Sequence, residues 1–173
     1  MPSEKNLVEF EELTTGKRSS DIRSLPTAKK GYDTCIVHTP KPNQLFDATQ
    51  QGITRYLSTL PVKSIPFSLG EGETPLTQSK VFPNVFIKNE AMNPTGSFKD
   101  RESALALAYA QEQGWKDLAI ASSGNAALSG AFYARIYGIR MTCYIPKNTS
   151  KAKSQMIELF GGYAHKVGKN YEE

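Results

Sequence analysis

The stretch NPTGSFKDR, residues 93–101, places a lysine, Lys99, just after a Pro-Thr-Gly-Ser turn and at the head of an amphipathic run. Ser97 is a residue type that caps helices, and Asp100, three positions on, can fill the reciprocal place of a capping box, so a helix is expected to begin here. The amino end of a helix is equivalent to about half a positive charge, which disfavours an ammonium and biases Lys99 towards its neutral form. A neutral amine is what an aldehyde-bearing cofactor needs as nucleophile to make a Schiff base. The competing reading is a surface lysine whose methylene stem covers apolar neighbours while its charge reaches water.

A second stretch, ASSGNAA at 121–127, lies where a strand should turn into a helix. Small residues there let main-chain N–H groups approach a carboxylate or a phosphate closely. The alternative is a plain strand-to-helix turn, with Ser123 as cap and Gly124 relieving strain. The spacing is not G-x-G-x-x-G, and no acidic ribose partner follows about twenty residues on, which argues against dinucleotide binding.

The elements that must position these loops follow from periodicity. Residues 84–89 read as a strand, 97–113 as a helix closed by Gly114, 117–122 as a strand and 124–137 as a helix followed by Gly138. Residues 139–145 form a third strand ended by Pro146, and 150–160 a helix capped by Ser150 with Met156, Ile157 and Phe160 on one face; 163–167 is a weak fourth strand. Repeated strand, helix, strand units with short connections predict an α/β fold in three layers, a parallel sheet with helices on both faces. Upstream, Ile53, Tyr56, Leu57 and Leu60 share a face of a short helix expected over 47–60, and SLGEGETPL at 68–76 is a constrained loop. The polar residues 1–33 read as an N-terminal arm, and 34–173 as the domain that carries the chemistry. After Gly168 the run KNYEE offers Asn170 as a cap with two acids behind it, but no helix follows, so a truncated domain is expected.

Composition narrows the function classes. The chain has 173 residues, 39% hydrophobic and 22% charged, which suits one globular domain. No apolar run approaches the ~20 residues of a membrane helix, and the first residues lack the apolar segment of a secretory signal, so a cytoplasmic location is expected. Cys35 and Cys143 stand far apart, which supports neither a disulfide framework nor a metal site. The net charge of +4 is scattered and interleaved with acids, which argues against nucleic acid as a partner.

The combination of GEGETPL, E-x-x-NPTGSFKDR and, about two dozen residues after the lysine, SSGN resembles the pyridoxal-phosphate enzymes of the tryptophan-synthase-beta-like fold (fold type II), and within them the threonine synthases. The resemblance covers residues 68 to about 171. It implies that Lys99 carries pyridoxal 5'-phosphate as a Schiff base and later moves protons, and that Asn125 hydrogen-bonds the cofactor's ring 3-oxygen. It further implies that the backbone of Ser122, Ser123, Gly124, Asn125 and Ala126 holds the substrate carboxylate. The implied reaction is that of a lyase converting O-phospho-L-homoserine and water to L-threonine and phosphate in amino-acid biosynthesis, with a homodimer as the implied assembly. The leaving phosphate needs cationic or N–H donors; Lys88 and Arg101 are near in sequence and read equally well as structural charges. Two departures stand out: Glu102-Ser103 follow the motif where such enzymes continue Gly-Met, and Ala126 stands where threonine is common. They keep open a serine or threonine dehydratase, another β-replacement enzyme, or a non-catalytic fragment that only binds an anion or partner. The glycine loop for the cofactor's phosphate and the residue facing its pyridine nitrogen belong to the downstream half of such enzymes.

Overall fold

In the computed structural model, which describes residues 9–20, 35–38 and 45–170, the chain divides into two compact units. One comprises the described residues up to Ala48 together with Arg55–Lys63, the other Thr49–Thr54 and the described residues from Ser64 onward. In the first unit, β1 (Glu9–Glu12) lies between β2 (Arg18–Ser19) and β3 (Cys35–His38) in an antiparallel sheet, with Phe10 opposite Val37. Alternation buries Phe10 and Glu12, while Glu11 bonds the Arg18 guanidinium and the His38 ring, each at 2.7 Å. The His38 hydrogen bond, then that from Arg18, holds the Glu11 carboxyl below its usual range. Part of the segment expected as an unstructured polar arm is therefore paired strand.

Over 47–60 the expected α-helix is replaced by a 3₁₀ helix confined to Gly52–Thr59. Gly52 has φ +54°, outside the right-handed region, so helical winding cannot run through it from residue 47. The hydroxyls of Thr54 and Thr59 donate to the carbonyls of Gln51 and Tyr56, three residues back, offering those carbonyls a local donor.

In the second unit the strand and helix order follows the sequence periodicity closely. β4 (Leu76–Gln78) and β5 (Phe86–Lys88) pair antiparallel, and a 3₁₀ turn, Glu90–Met92, leads to α1 (Lys99–Glu112). Then come β6 (Asp117–Ala121), α2 (Asn125–Tyr137), β7 (Arg140–Ile145), α3 (Lys151–Leu159) and β8 (Tyr163–Lys166). Gly138, at φ +65°, closes α2 in a left-handed cap, and Ser150 Oγ caps α3 by accepting from the Lys153 amide at 3.4 Å.

Strands β6, β7 and β8 are parallel neighbours in that order, with Ile120 beside Cys143 and Cys143 beside Ala164. Period-two alternation turns Met141, Cys143 and Ile145 towards α2 and α3, where all three are buried. The facing side of α2 is built from Ala127, Gly130, Ala131 and Ala134, small enough for helix and sheet to approach closely; the Cys143 thiol lies 3.9 Å from the Ala127 carbonyl, and burial pushes its pKa up to about 11. Fully burying Leu107, Tyr133, Ile145 and Ile157 contributes roughly 1.5–3 kcal/mol for each aliphatic side chain. The parallel α/β architecture is the one expected. Among the described residues the helices that pack on this sheet cover one of its faces, while Tyr144 and His165 on the other meet edge to face at 5.2 Å.

Gly162 marks the tightest point of this packing. A Cβ there would lie 2.8 Å from Ala131 Cβ and 3.0 Å from Ile157 Cγ2, both buried and unable to swing aside. Gly162→Ala is therefore expected to lower unfolding stability by about 1–3 kcal/mol, measured by urea denaturation; an unchanged midpoint would show that α2 and α3 leave room for a methyl group at this point.

Candidate active site

The turn before Lys99 is held by a carboxylate, though by a different pairing from the expected capping box. Phe98 occupies the cap position of α1 without a side-chain cap, and the buried Ser97 hydroxyl has no hydrogen-bond partner. Asp100, fully buried, instead reaches back to Thr95, accepting from its amide at 2.6 Å and from its hydroxyl. The reciprocal partner is thus five residues upstream, because Gly96 at φ +83° folds the Pro-Thr-Gly turn over the helix end. Asp100 also accepts from the Ser129 hydroxyl at 2.6 Å, and Ser129 Oγ lies 2.8 Å from Ser103 Oγ, whose own hydroxyl can donate to it. Those bonds cross from the first turn of α1 to the second turn of α2. They bring Lys99 and the SSGN loop onto neighbouring helix ends.

Lys99 itself is partly buried, with Nζ 3.1 Å from Glu102 and 4.8 Å from the centre of the Phe98 ring. Glu102, one of the two departures noted in the sequence, is therefore the group that holds the amine in place. On the other loop Gly124 is extended and caps α2 without a side chain, Ser122 Oγ accepts from the Gly124 amide at 3.3 Å, and Asn125 is exposed. No side chain caps the first turn of α2, and uncapped first-turn N–H groups are donors that an anion can use. Ser123, the cap expected of a plain strand-to-helix turn, lies one position before the cap.

Lys88 and Arg101 are engaged elsewhere. Arg101 grips Glu90 through Nε at 2.9 Å and Nη2 at 2.8 Å, and Glu90 also accepts from Thr74 and Asn93. Lys88 Nζ donates to the carbonyls of Gly72 and Thr74, and Asn93 Oδ1 receives the Gly72 amide at 2.9 Å. Gly72 stands at φ +87°, a conformation that L side chains rarely adopt, and a Cβ there would also meet the Arg101 guanidinium at 2.4 Å. Beneath it the buried Glu71 takes bonds from Ser68, the Leu69 amide and Tyr133, whose phenol burial pushes upward. These charges tie the GEGETPL loop to the lysine loop. They are not free donors for a substrate. The sequence singled out neither Thr95 nor Ser129 nor Tyr133, because their partners are distant in the chain or lie off any periodic pattern.

A primary amine beside a helix end with uncapped N–H groups is a fitting receptacle for a phosphorylated aldehyde of the pyridoxal type. Residues 67–173 match the family described as pyridoxal-phosphate dependent enzyme.

The chain belongs to that family.

Threonine synthase of Bacillus sp. (strain ULM1) is 39% identical over 102 residues, covering 55% of this chain and 29% of that protein. Threonine synthase of Methanocaldococcus jannaschii is 34% identical over 131 residues, 70% of this chain and 32% of that protein. The chain thus spans about a third or less of the length of these relatives. The processed form of threonine deaminase isoform 2 from Solanum lycopersicum superposes with a TM-score of 0.54 at 24% identity over 58% of this chain and 31% of that one, a likeness of fold. O-ureido-L-serine synthase gives 0.50 at 25% identity over 54% and 32%. No helix among the described residues is long and apolar enough to cross a membrane.

Two outcomes follow from this geometry. The Arg101 hydrogen bond, aided by Thr74 and Asn93, holds Glu90 at about 2, against 4.5 for a free glutamate. A depressed folded pKa means that its stabilisation is complete above about pH 4.5 and is lost as pH falls towards 2. Glu90→Gln is expected to cost about 2 kcal/mol at pH 7, with the gap to wild type narrowing between pH 4.5 and 2 in urea titrations; a constant gap would refute the ion pair. Because the Lys99–Glu102 pair is largely exposed, breaking it is worth under about 1 kcal/mol. Glu102→Gln should accordingly speed labelling of Lys99 by pyridoxal phosphate no more than roughly fivefold, read by stopped-flow absorbance.

Proposed function

We propose that this chain serves a pyridoxal-phosphate-dependent lyase of the threonine synthase kind, acting on O-phospho-L-homoserine and water to give L-threonine and phosphate. The observation that carries this reading is the placement of Lys99 at the head of α1, clamped through Asp100 and Ser129 to the helix that the SSGN loop opens. The likeness to two proteins named threonine synthase supports the substrate.

When bound, pyridoxal phosphate supplies an electron sink for carbanions at the substrate carbons. Lys99 Nζ would hold the cofactor and is the group placed to take and return protons at those carbons; to do so it must leave Glu102, which the solvent-accessible pair permits. Asn125 would hydrogen-bond the oxygen on carbon 3 of the cofactor's ring. The backbone of the segment from Ser122 to Ala126 would receive the substrate carboxylate, where the positive end of α2 favours a negative charge.

A second reading rests on Ala126. With no hydroxyl at that position the carboxylate loop is less polar than in the usual threonine synthase pattern, and a dehydratase acting on serine or threonine is the alternative reaction.

Borohydride reduction of the protein mixed with pyridoxal phosphate, followed by digestion and mass spectrometry, should leave the pyridoxyl tag on the peptide containing residue 99, and Lys99→Ala should lose it. A tag found only on other peptides would overturn the assignment. Phosphate release from O-phospho-L-homoserine is expected of the active protein, whereas keto-acid formation from serine or threonine without it would favour the dehydratase.

A further inference from the structure

One polar side chain of the lysine turn has no task in the arrangement described above. Ser97 is 7% exposed, its hydroxyl is closed to solvent, and among the described residues it has no hydrogen-bond partner. The other polar side chains of residues 93–101 are all engaged. Asn93 bonds Glu90 and the Gly72 amide, Thr95 bonds Asp100, Asp100 also bonds Ser129, Lys99 bonds Glu102 and Arg101 bonds Glu90. A buried hydroxyl without a partner gives up its hydration for nothing, so such a group in a folded chain calls for a reason. Capping is not that reason, because Phe98 holds the cap position of α1 and no side chain bonds the helix end there.

The group close by in the chain whose partner must change is Lys99 Nζ, two residues on. In this structure the amine lies over the Phe98 ring and against the exposed Glu102, so it is held near the surface. To meet a bound aldehyde it must leave that pair, and an amine drawn into a buried turn without a hydrogen-bond partner is disfavoured. Ser97 Oγ is the side-chain atom of the turn that is left to supply one. Side chains at the start of a helix lean back over the preceding turn, which here carries Ser97. Two residues of chain span at most about 7 Å, a gap that a lysine side chain and a serine hydroxyl can close between them. Asp100, bonded back to Thr95, keeps a buried negative charge on the same turn, which favours bringing a cation inward.

We propose that Ser97 is a positioning residue for Lys99: its hydroxyl oxygen is the inward partner of Nζ, taking the amine over from Glu102 and holding it towards the bound aldehyde. The amine donates an N–H to Ser97 Oγ in either protonation state, so the lone pair of the neutral form stays free to attack the carbonyl carbon. No proton passes between the two residues. Glu102 and Ser97 are then opposite rests of one side chain, the first outward and the second inward. This role rests on the function proposed above, in that it needs Lys99 to be the residue that takes up pyridoxal phosphate; the unpartnered hydroxyl is independent of it.

Two measurements on the full chain test it. In urea denaturation without cofactor, Ser97→Ala is expected to raise the midpoint or leave it unchanged, because the hydroxyl removed has no partner; a lowered midpoint would show that the hydroxyl is already engaged and would overturn the proposal. In the second, the chain is mixed with pyridoxal phosphate and quenched with borohydride at timed intervals, and the pyridoxyl tag on the peptide containing residue 99 is counted by mass spectrometry. Ser97→Ala is expected to acquire that tag roughly tenfold more slowly than wild type, the opposite direction from Glu102→Gln, and Ser97→Thr, which keeps a hydroxyl, to recover most of the rate. A Ser97→Thr chain of wild-type stability that labels as slowly as Ser97→Ala would overturn the role. Equal rates for wild type and Ser97→Ala, with the tag on Lys99 in both, would overturn it as well and leave the function reading standing. A wild-type chain whose Lys99 takes no tag would overturn the function reading, and the role of Ser97 with it.

Discussion

The arrangement around Lys99 depends on one buried carboxylate. Asp100 is fully enclosed, and its oxygens accept from the Thr95 amide, the Thr95 hydroxyl and Ser129. A buried charge persists only where several donors compensate its lost hydration. Here those donors belong to the lysine turn and to the next helix, so satisfying the charge and aligning the two loops are one event. The neighbouring residue, Lys99, inherits its position from that alignment. Its own contacts, a glutamate and an aromatic ring near the surface, leave it able to exchange partners.

Around this centre the polar residues divide by job. Glu71, Glu90, Arg101, Lys88 and Asn93 face one another and the loop backbones, and their bonds are internal to the scaffold. Asn125 and Lys153 stand at the carboxyl edge of the sheet, exposed. Both groups look alike in composition, as charged or amide residues near glycines. What separates them is whether a partner comes from the same fold or must come from outside.

That distinction explains which parts of the molecule could be read from the sequence. The parallel strands and their helices were legible because period-two and period-3.6 patterns depend on local repetition, and the bounds differ by only one or two residues, as with Asp117–Ala121 against 117–122. The special position of Lys99 was legible for the same reason, being a matter of local turn and helix chemistry. The identity of the partner of Asp100 was not, since Gly96 folds Thr95 into the place reserved for Ser97. Nor was the engagement of Arg101 by Glu90, eleven residues away, or the pairing of Glu9–Glu12 with Cys35–His38, which hinges on contacts across a long interval. Gly52 defeated the expected helix through a single dihedral angle.

The parallel order of β6, β7 and β8 sends every strand-to-helix connection to one rim, while the alanine-lined seam between α2 and the sheet lies below it. Innovation and endurance are thereby placed in different neighbourhoods. Exchanging a side chain on the rim can retune which anion is greeted without disturbing the seam, so a scaffold of this kind can drift between related substrates at little risk to its own folding.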